Sequence, residues 1–529
     1  MTGSLRHFLD SDAVWLKVLG AILFILVTRS ASQIVYNVFL HPLARIPGPR
    51  PMAASVLPMG WVRTQGRAPY KLVELHERYG PVVRIGPNEV SCVGSAAFRD
   101  VYGFRAGKGG PMPRDQRAVL SRRAFGAISL LQADVRTHAE LRRRMSPAFS
   151  ERAAREQEPL VARYVDSLVR RLRAECTAAV DGAAVIDMCR YAAWATFDIQ
   201  GDLLFGEDVF GSLEHGRDHP WPTTSMGFFR VLTWAKLATE LLTPRVLIAV
   251  HELATALGAG RGLRRHIETA KYFVDRRMAA PKGGRPDGHP DYMSYIVRGG
   301  AKNTSDTTLT REEMYANAQV LMTAGSETVA TVLCGALYLL LTHPEALARL
   351  TREVRAAFAS DADIGFAGVS QPGRLEYLQA VLNESMRLWH PVATPMVRQV
   401  PRGGCEVAGY HVPEGALIGV TNYATMRSEE YFRHAESFVP ERWLGAPEYA
   451  DDDRDAFQPF GYGPMSCIGS ALGRLESRLL LAKLIWHFDL ELMPESENWL
   501  DNMVNHMIWQ KPPLMVKLRP VQTTVRSRT

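Results

Sequence analysis

One cysteine of this chain stands where it could serve as a metal ligand. The segment Phe460-Gly461-Tyr462-Gly463-Pro464-Met465-Ser466-Cys467-Ile468-Gly469 crowds glycine and proline around Cys467 and ends just before a helical pattern over residues 471–487. Glycine tolerates conformations and close approaches that a Cβ forbids, so Gly469 and its neighbours suit a backbone pressed against a flat ligand. Backbone N–H groups at a helix start favour a thiolate and lower the cysteine pKa. A thiolate on haem iron donates electron density and favours O–O cleavage. The competing reading, a buried free cysteine in a turn, is the commoner fate of a lone cysteine. The joint spacing of Phe460, Gly463, Cys467 and Gly469 argues against it.

A long helix is the second constellation. Thr310 and Glu313 form a capping box ahead of a pattern over residues 311–341, which stops at His343-Pro344. Its middle reads Ala324-Gly325-Ser326-Glu327-Thr328. Glycine in a helix costs about 1 kcal/mol relative to alanine, so Gly325 needs a reason. One reason is a close helix contact, with the threonine hydroxyl bonded to its own backbone. By hydropathy residues 320–341 could pass for a membrane span. Glu327 near the centre would cost on the order of a few kcal/mol there, which favours a core helix.

Further charged groups are weaker signals. Glu384 and Arg387 lie at i and i+3 inside an apolar helix over residues 378–388, and Arg442 follows in Phe438-Val439-Pro440-Glu441-Arg442-Trp443. Bare pairs of this kind are mostly surface ion pairs. His138 and Arg142, both cationic-capable, lie one helical turn apart, and Arg398 follows the segment Pro391-Val392-Ala393-Thr394-Pro395. At least one of Arg142, Arg143 and Arg144 is expected on a solvated face, where it could meet an acidic partner.

The elements that must position these groups follow from pattern and composition. The 529 residues are 47% hydrophobic and 22% charged, which suits a large globular core. The net charge of +7 is thinly spread, and no dense Lys/Arg patch interleaved with aromatics points to nucleic acid. Six cysteines without a Cys-x-x-Cys pair exclude the usual zinc and iron–sulfur arrangements and suggest a reducing compartment. Residues 13–27 are apolar but span only about 22 Å as a helix, so crossing a membrane requires continuation through Ile34, Val35 and Tyr36. Trp15 suits an interface, Lys17 can snorkel, and Arg29, Arg45 and Arg50 after the segment put the bulk of the chain on the cytoplasmic side. A cleaved signal peptide ending near Ser30-Ala31-Ser32 is the alternative, with Arg29 awkwardly close. A Pro-rich stretch, 41–51, reads as a stiff hinge. Beyond it a turn and strand over 79–86 meet a hairpin partner at 90–93, helical patterns dominate 135–391, residues 281–290 form an exposed loop, and short strands return over 406–420. The expectation is a mostly α chain with small β-sheets: an N-terminal transmembrane anchor at 1–40, the hinge at 41–51, and one catalytic domain at 52–529.

Taken in order, these motifs resemble the cytochrome P450 family over nearly the whole chain. The cysteine loop is similar to that family's Phe-x-x-Gly-x-Arg-x-Cys-x-Gly, with Met465 in place of the arginine that partners a haem propionate. The resemblance implies the cytochrome P450 fold and haem b with Cys467 as axial ligand. It implies a loop shaped by Phe460, Gly461, Gly463 and Gly469. It further implies propionate contacts from His138, Arg142 and Arg398, and a structural triad of Glu384, Arg387 and Arg442. The helix centre resembles Ala-Gly-x-Asp/Glu-Thr, where small residues leave room for dioxygen; Thr328 would steady the oxygen and Glu327 would relay protons to it. Implied partners are NADPH-cytochrome P450 reductase, a lipophilic small molecule and membrane lipid through residues 13–40, with single-pass location in the endoplasmic reticulum. The stretches Tyr36 to Leu43, Arg84 to Ser91 and Phe197 to Gly206 resemble fungal secondary-metabolism members such as toxin-pathway hydroxylases, which implies a polyketide or terpenoid substrate. Substrate contacts are expected from residues 117–131, 228–242, the long-helix centre and the strand after Pro391. Two rivals stay open: a haem-thiolate isomerase or dehydratase working without reductase, and a non-enzymatic haem-binding membrane protein.

Overall fold

The computed structural model describes residues 3–104, 110–115, 125–206, 210–241, 246, 261–279, 290–298 and 308–521. Residues 117–124 of one expected substrate stretch, Leu242 of another and residues 281–289 of the expected loop lie outside them. Helix α1 (Gly3–Val35) runs into a π-helical turn, Tyr36–Leu40. The segment Trp15–Leu40 has 26 residues, and an apolar 18-residue window within it has a mean hydropathy of 1.8 and no buried residue. At the helical rise the whole segment spans about 39 Å, ample for a hydrocarbon core. The continuation past residue 27 is thus helical, as crossing requires. Asn37 then donates to the Ala54 carbonyl at 3.0 Å, tying the end of this helix to the body. The Pro-rich 41–51 stretch packs against the body: Leu43 and Ile46 are buried, and Arg84 N–H donates to the Pro47 carbonyl at 2.7 Å.

The body is mostly helical. Helix α2 (Val135–Met145) starts at Asp134, whose carboxylate accepts from the N–H groups of Arg136 and Thr137 at 3.0 Å each. Helix α3 (Met188–Phe205) is buried on almost every side and packs along α4 (Arg311–Leu341), the spine of the core. The Thr310/Glu313 capping box is present, and α4 ends before Pro344 as its sequence dictates. The apolar window of α4 is 72% buried in protein, so its hydropathy belongs to a core helix. Helices α5 (Glu376–Leu388) and α6 (Ser470–His487) pack against it from the other side.

The small sheets brace this bundle. In the largest, strands β1 (Val82–Gly86), β2 (Glu89–Cys92), β7 (Leu417–Val420) and β4 (Arg398–Gln399) lie in that spatial order, with β2 and β7 parallel. Strand β3 (Ala184–Asp187) pairs with β11 (Met515–Pro520), which also pairs with β8 (Phe488–Leu492). The hairpin of β5 (Cys405–Val407) and β6 (Tyr410–Val412) turns through Ala408 and Gly409, both at positive φ, as a tight two-residue turn requires. Strands β9 (Val504–His506) and β10 (Ile508–Gln510) form a second hairpin. Helices dominate 135–391 as expected, and the structure adds β3, whose partner β11 is more than 300 residues away in sequence.

Candidate functional site

A cavity lies between the middle of α4 and the loop that leads into α6. Phe460, Gly461, Cys467 and Gly469 line it; Gly463 shapes the loop from behind. Gly461 and Gly463 hold φ of +74° and +75°, and a Cβ on Gly463 would overlap the Tyr102 carbonyl. Both glycines are therefore dictated by the loop's own path. The loop closes on a hydrogen bond from Cys467 N–H to the Phe460 carbonyl at 2.7 Å. The accessible surface of Cys467 faces the cavity, and burial pushes its thiol up, opposed by the Gly469 N–H and by Arg142 and Arg474. The helix start favours a thiolate as its position suggests, but desolvation outweighs it. Arg474 covers the Phe460 ring at 4.4 Å.

Basic side chains, buried or half-buried, form one rim. His138 and Arg142 reach the cavity from α2, and Arg398 reaches it from β4. Arg142 also donates to the Ser466 carbonyl in the cysteine loop. His138 is pushed down to about 4, first by burial and then by Arg114, Arg142 and Arg398, so its ring is neutral near pH 7. This corrects its expected cationic character: it can offer one N–H and no charge. The fourth member, Arg114, escapes sequence reasoning because it sits in a connecting segment without periodicity. It bridges backbone to backbone with Arg398 and donates to the Leu130 carbonyl at 2.6 Å. Arg398 is 3% exposed; its Nη1 donates to Met465 Sδ at 2.9 Å, and its Nε has no hydrogen-bond partner among the described residues. Of the other two arginines in the α2 run, Arg144 pairs with Glu313 at 2.9 Å and joins α2 to the start of α4, while Arg143 is exposed.

Helix α4 supplies the opposite wall through Val320, Leu321, Ala324, Gly325, Thr328 and Val329. Gly325 has a packing cause: a Cβ would overlap the Gln200 side chain of α3, whose amide donates to the Leu321 carbonyl at 3.1 Å. Thr328 lines the cavity with its hydroxyl donated to the Ala324 carbonyl at 2.7 Å. Glu327 turns elsewhere, its carboxylate 3.1 Å from Lys511 Nζ, which also donates to Thr331 Oγ1 at 3.1 Å. Burial alone would lower Lys511; Glu327, ahead of the Cys189 and Cys334 thiols, outweighs it. Thr328 and Glu327 are thus neighbours in sequence on different sides of the helix. Of the expected substrate stretches, Leu130 and Leu131 line the cavity, as do Val392, Thr394 and Met396, whereas no described residue of 228–242 does.

Residues 47–518 match the Cytochrome P450 family. The chain belongs to that family. It is 37% identical over 519 residues to the cytochrome P450 monooxygenase traB of Penicillium crustosum, covering 96% of this chain and 97% of that one. It is similarly 35% identical to the monooxygenase efuB of Hormonema carpetanum (96% and 97% covered) and 36% identical to astJ of Aspergillus oryzae (92% and 94% covered). This protein is a cytochrome P450 monooxygenase, and the family works with a haem-thiolate centre, a reductase and small-molecule substrates.

The residues present fit such a cofactor. A haem presents two carboxylates beside an iron that takes a thiolate. The cavity offers one accessible cysteine, three guanidinium groups along one rim, of which Arg398 is buried and Arg114 and Arg142 are half-buried, and an Arg398 Nε without a hydrogen-bond partner among the described residues. Glu476, the one carboxyl among the described lining residues, is pushed up to about 8 by burial and adds no negative charge near neutral pH.

A buried ion network ties α5 of this P450 to residues 426–452. Arg387 grips Glu384 with two bonds of 2.8 and 2.9 Å, and Arg442 reaches the same carboxylate at 3.0 Å; all three side chains have zero exposure. Two cations against one anion would leave a buried charge. Asp452 removes it, 2.6 Å from Arg442, and Trp443 Nε1 donates to Glu384 at 2.9 Å. The triad is therefore a neutral tetrad. Charge balance in the sequence, with Asp451-Asp452-Asp453 ten residues past Arg442, was the signal that could have found its fourth member.

Proposed function

We propose that this P450 binds haem b with Cys467 as axial ligand, and that it oxidises a lipophilic small molecule, a polyketide or terpenoid of fungal secondary metabolism, with O2 and electrons from NADPH-cytochrome P450 reductase. The observation that carries the reading is the accessible Cys467 thiol, which opens into the cavity that arginines rim and α4 walls with apolar side chains. Arg142 and Arg398 hold the haem carboxylates, with neutral His138 as a further donor, and Phe460, Gly461, Gly463 and Gly469 shape the loop. Bound haem supplies the radical chemistry of oxygen insertion. The chain supplies the rest. The apolar face of α4 excludes water around the substrate. Thr328 turns its hydroxyl from the Ala324 carbonyl into the cavity to hydrogen-bond the oxygen substrate. Glu327, exchanging Lys511 for solvent, passes it protons. Residues 1–40 anchor the protein in the endoplasmic reticulum membrane as a single span, 41–51 connect, and 52–529 form the cytoplasmic catalytic domain.

The reading is tested by co-expression with a fungal reductase, feeding of polyketides and terpenoids, and mass spectrometry of products. Hydroxylated product that requires both NADPH and reductase is expected. Product formed without any electron donor would favour the isomerase or dehydratase alternative instead.

A further inference from the structure

Asn37 is the buried exception on an exposed helix end. Ile34, Val35, Tyr36, Phe39 and Leu40 are exposed around it, whereas Asn37 is 6% exposed. Both ends of its amide are used. Nδ2 donates to the Ala54 carbonyl at 3.0 Å, and Oδ1 accepts from Gln33 Nε2 at 2.9 Å. Ala54 closes the short helix Arg50–Ala54, so the bond fills one of the carbonyls that a helix end leaves open. Gln33 lies one helical turn earlier, and by occupying the oxygen it aims the nitrogen at the body. The π-helical turn Tyr36–Leu40 closes with His41 N–H donating to the Tyr36 carbonyl at 2.8 Å, which keeps the chain helical up to the Pro-rich stretch.

That stretch is held along its length. The His41 ring accepts from Leu43 N–H at 3.1 Å, and the Leu43 side chain is fully buried. Ile46 is buried next, the Pro47 carbonyl accepts from Arg84 N–H of β1, and a Cβ on Gly48 would overlap the Arg84 carbonyl. Counted from Trp15, a hydrocarbon core of about 30 Å is crossed near Val35, so Asn37 sits where the helix emerges. We infer that Asn37 locks the membrane helix to the catalytic body, so that the two tilt as one rigid piece and the body does not swing on residues 41–51. The inference rests on the anchor reading above and uses haem only as a reporter. Its consequence is for the reductase proposed above. Docking of two specific patches is limited by orientation, and a body held at one tilt presents the same patch at every encounter within a membrane.

The test uses the full-length holoenzyme in phosphatidylcholine vesicles. A polarised flash photolyses its CO complex, and the decay of absorbance anisotropy reports rotation of the body. Native protein should show no phase faster than about 1 µs, the range of loop and linker motion. Asn37→Leu keeps the bulk and removes both hydrogen bonds, so a sub-microsecond phase should appear. With a fungal reductase in the same vesicles, NADPH-driven growth of the thiolate–CO band should slow about fivefold, the weight of one hydrogen bond. Growth driven by dithionite should be unchanged. A fast phase in the native protein, or an Asn37→Leu trace identical to the native one, overturns the inference. A lower melting temperature with unchanged anisotropy would make Asn37 only the cap of helix Arg50–Ala54, which overturns it too. Should Asn37→Leu yield no holoprotein, Gln33→Leu decides in the same assay: a fast phase of smaller amplitude supports the lock, and a native trace refutes it. Native protein without a thiolate–CO band would sink the haem reading, and native protein extracted by alkaline carbonate would sink the anchor reading. A membrane-held holoenzyme whose body wobbles sinks the lock alone.

Discussion

The cysteine loop and the centre of α4 face each other across one cavity, yet they are built on different terms. In the loop nearly every special residue answers a local demand. Gly461 and Gly463 take left-handed conformations, and Cys467 N–H closes back on Phe460 within seven residues. In α4 the special residues answer to distant partners. Gly325 makes room for Gln200 and Glu327 pairs with Lys511, on elements more than 100 residues away. Local demands make chemistry readable from spacing; distant demands make the same letters ambiguous.

The largest effect should come from removing the loop's reactive atom while leaving its path intact. Cys467→Ala should abolish the thiolate–CO spectrum and all NADPH-dependent product formation, with little change in the far-UV circular dichroism. A thiolate-type spectrum surviving the change would move the ligand elsewhere and erase the contrast between loop and helix. Next comes the buried ion network of α5. Glu384→Gln leaves two buried guanidinium groups with one carboxylate, a break that costs about 3–5 kcal/mol. Soluble holoprotein should fall sharply, and a melting temperature within a degree or two of native would show that the tetrad does not bear on stability.

A smaller effect is expected in α4. Gly325→Ala gains about 1 kcal/mol of helix propensity but forces Gln200 from its place, for a net loss of about 1–2 kcal/mol. The double variant with Gln200→Ala should recover most of that loss in thermal melts, while the CO spectrum stays thiolate-type in both. If Gly325→Ala keeps full stability and instead blocks only turnover, the glycine is there for oxygen and not for packing, and the contrast drawn above fails at this residue.

The same distinction explains what the sequence could and could not reveal. The capping box at Thr310 and Glu313, the end of α4 before Pro344, the first hairpin and the cysteine loop are all short-range features and were legible. Arg114, Lys511 and Gln200 were not, because each matters only through contacts with residues that the fold brings from far along the chain. Strand β3 was missed for the same reason: four residues with no local partner become a strand only when β11 arrives. His138 reads from spacing as cationic-capable, and its neutrality depends on burial and on three arginines that spacing does not bring together.

Two carboxyl groups sharpen the comparison at its finest grain. Glu327, on the α4 side, is ion-paired with Lys511, whereas Glu476, on α6 behind the loop, is fully enclosed with its Oε1 lacking a partner. Burial pushes Glu476 from its ordinary 4.5 up to about 8. Between those values the unfolded chain has released this proton and the folded chain keeps it, so the unfolded state binds fewer protons and stability falls as pH rises through the window. Below it both states are protonated, and above it both are ionised, so the contribution levels off. Glu476→Gln, which cannot ionise, should therefore match the native holoenzyme near pH 5 and melt a few degrees higher near pH 8. Parallel melting curves for the two proteins across that range would mean that Glu476 is ionised in the fold, with a counter-charge that the arginines across the cavity must supply.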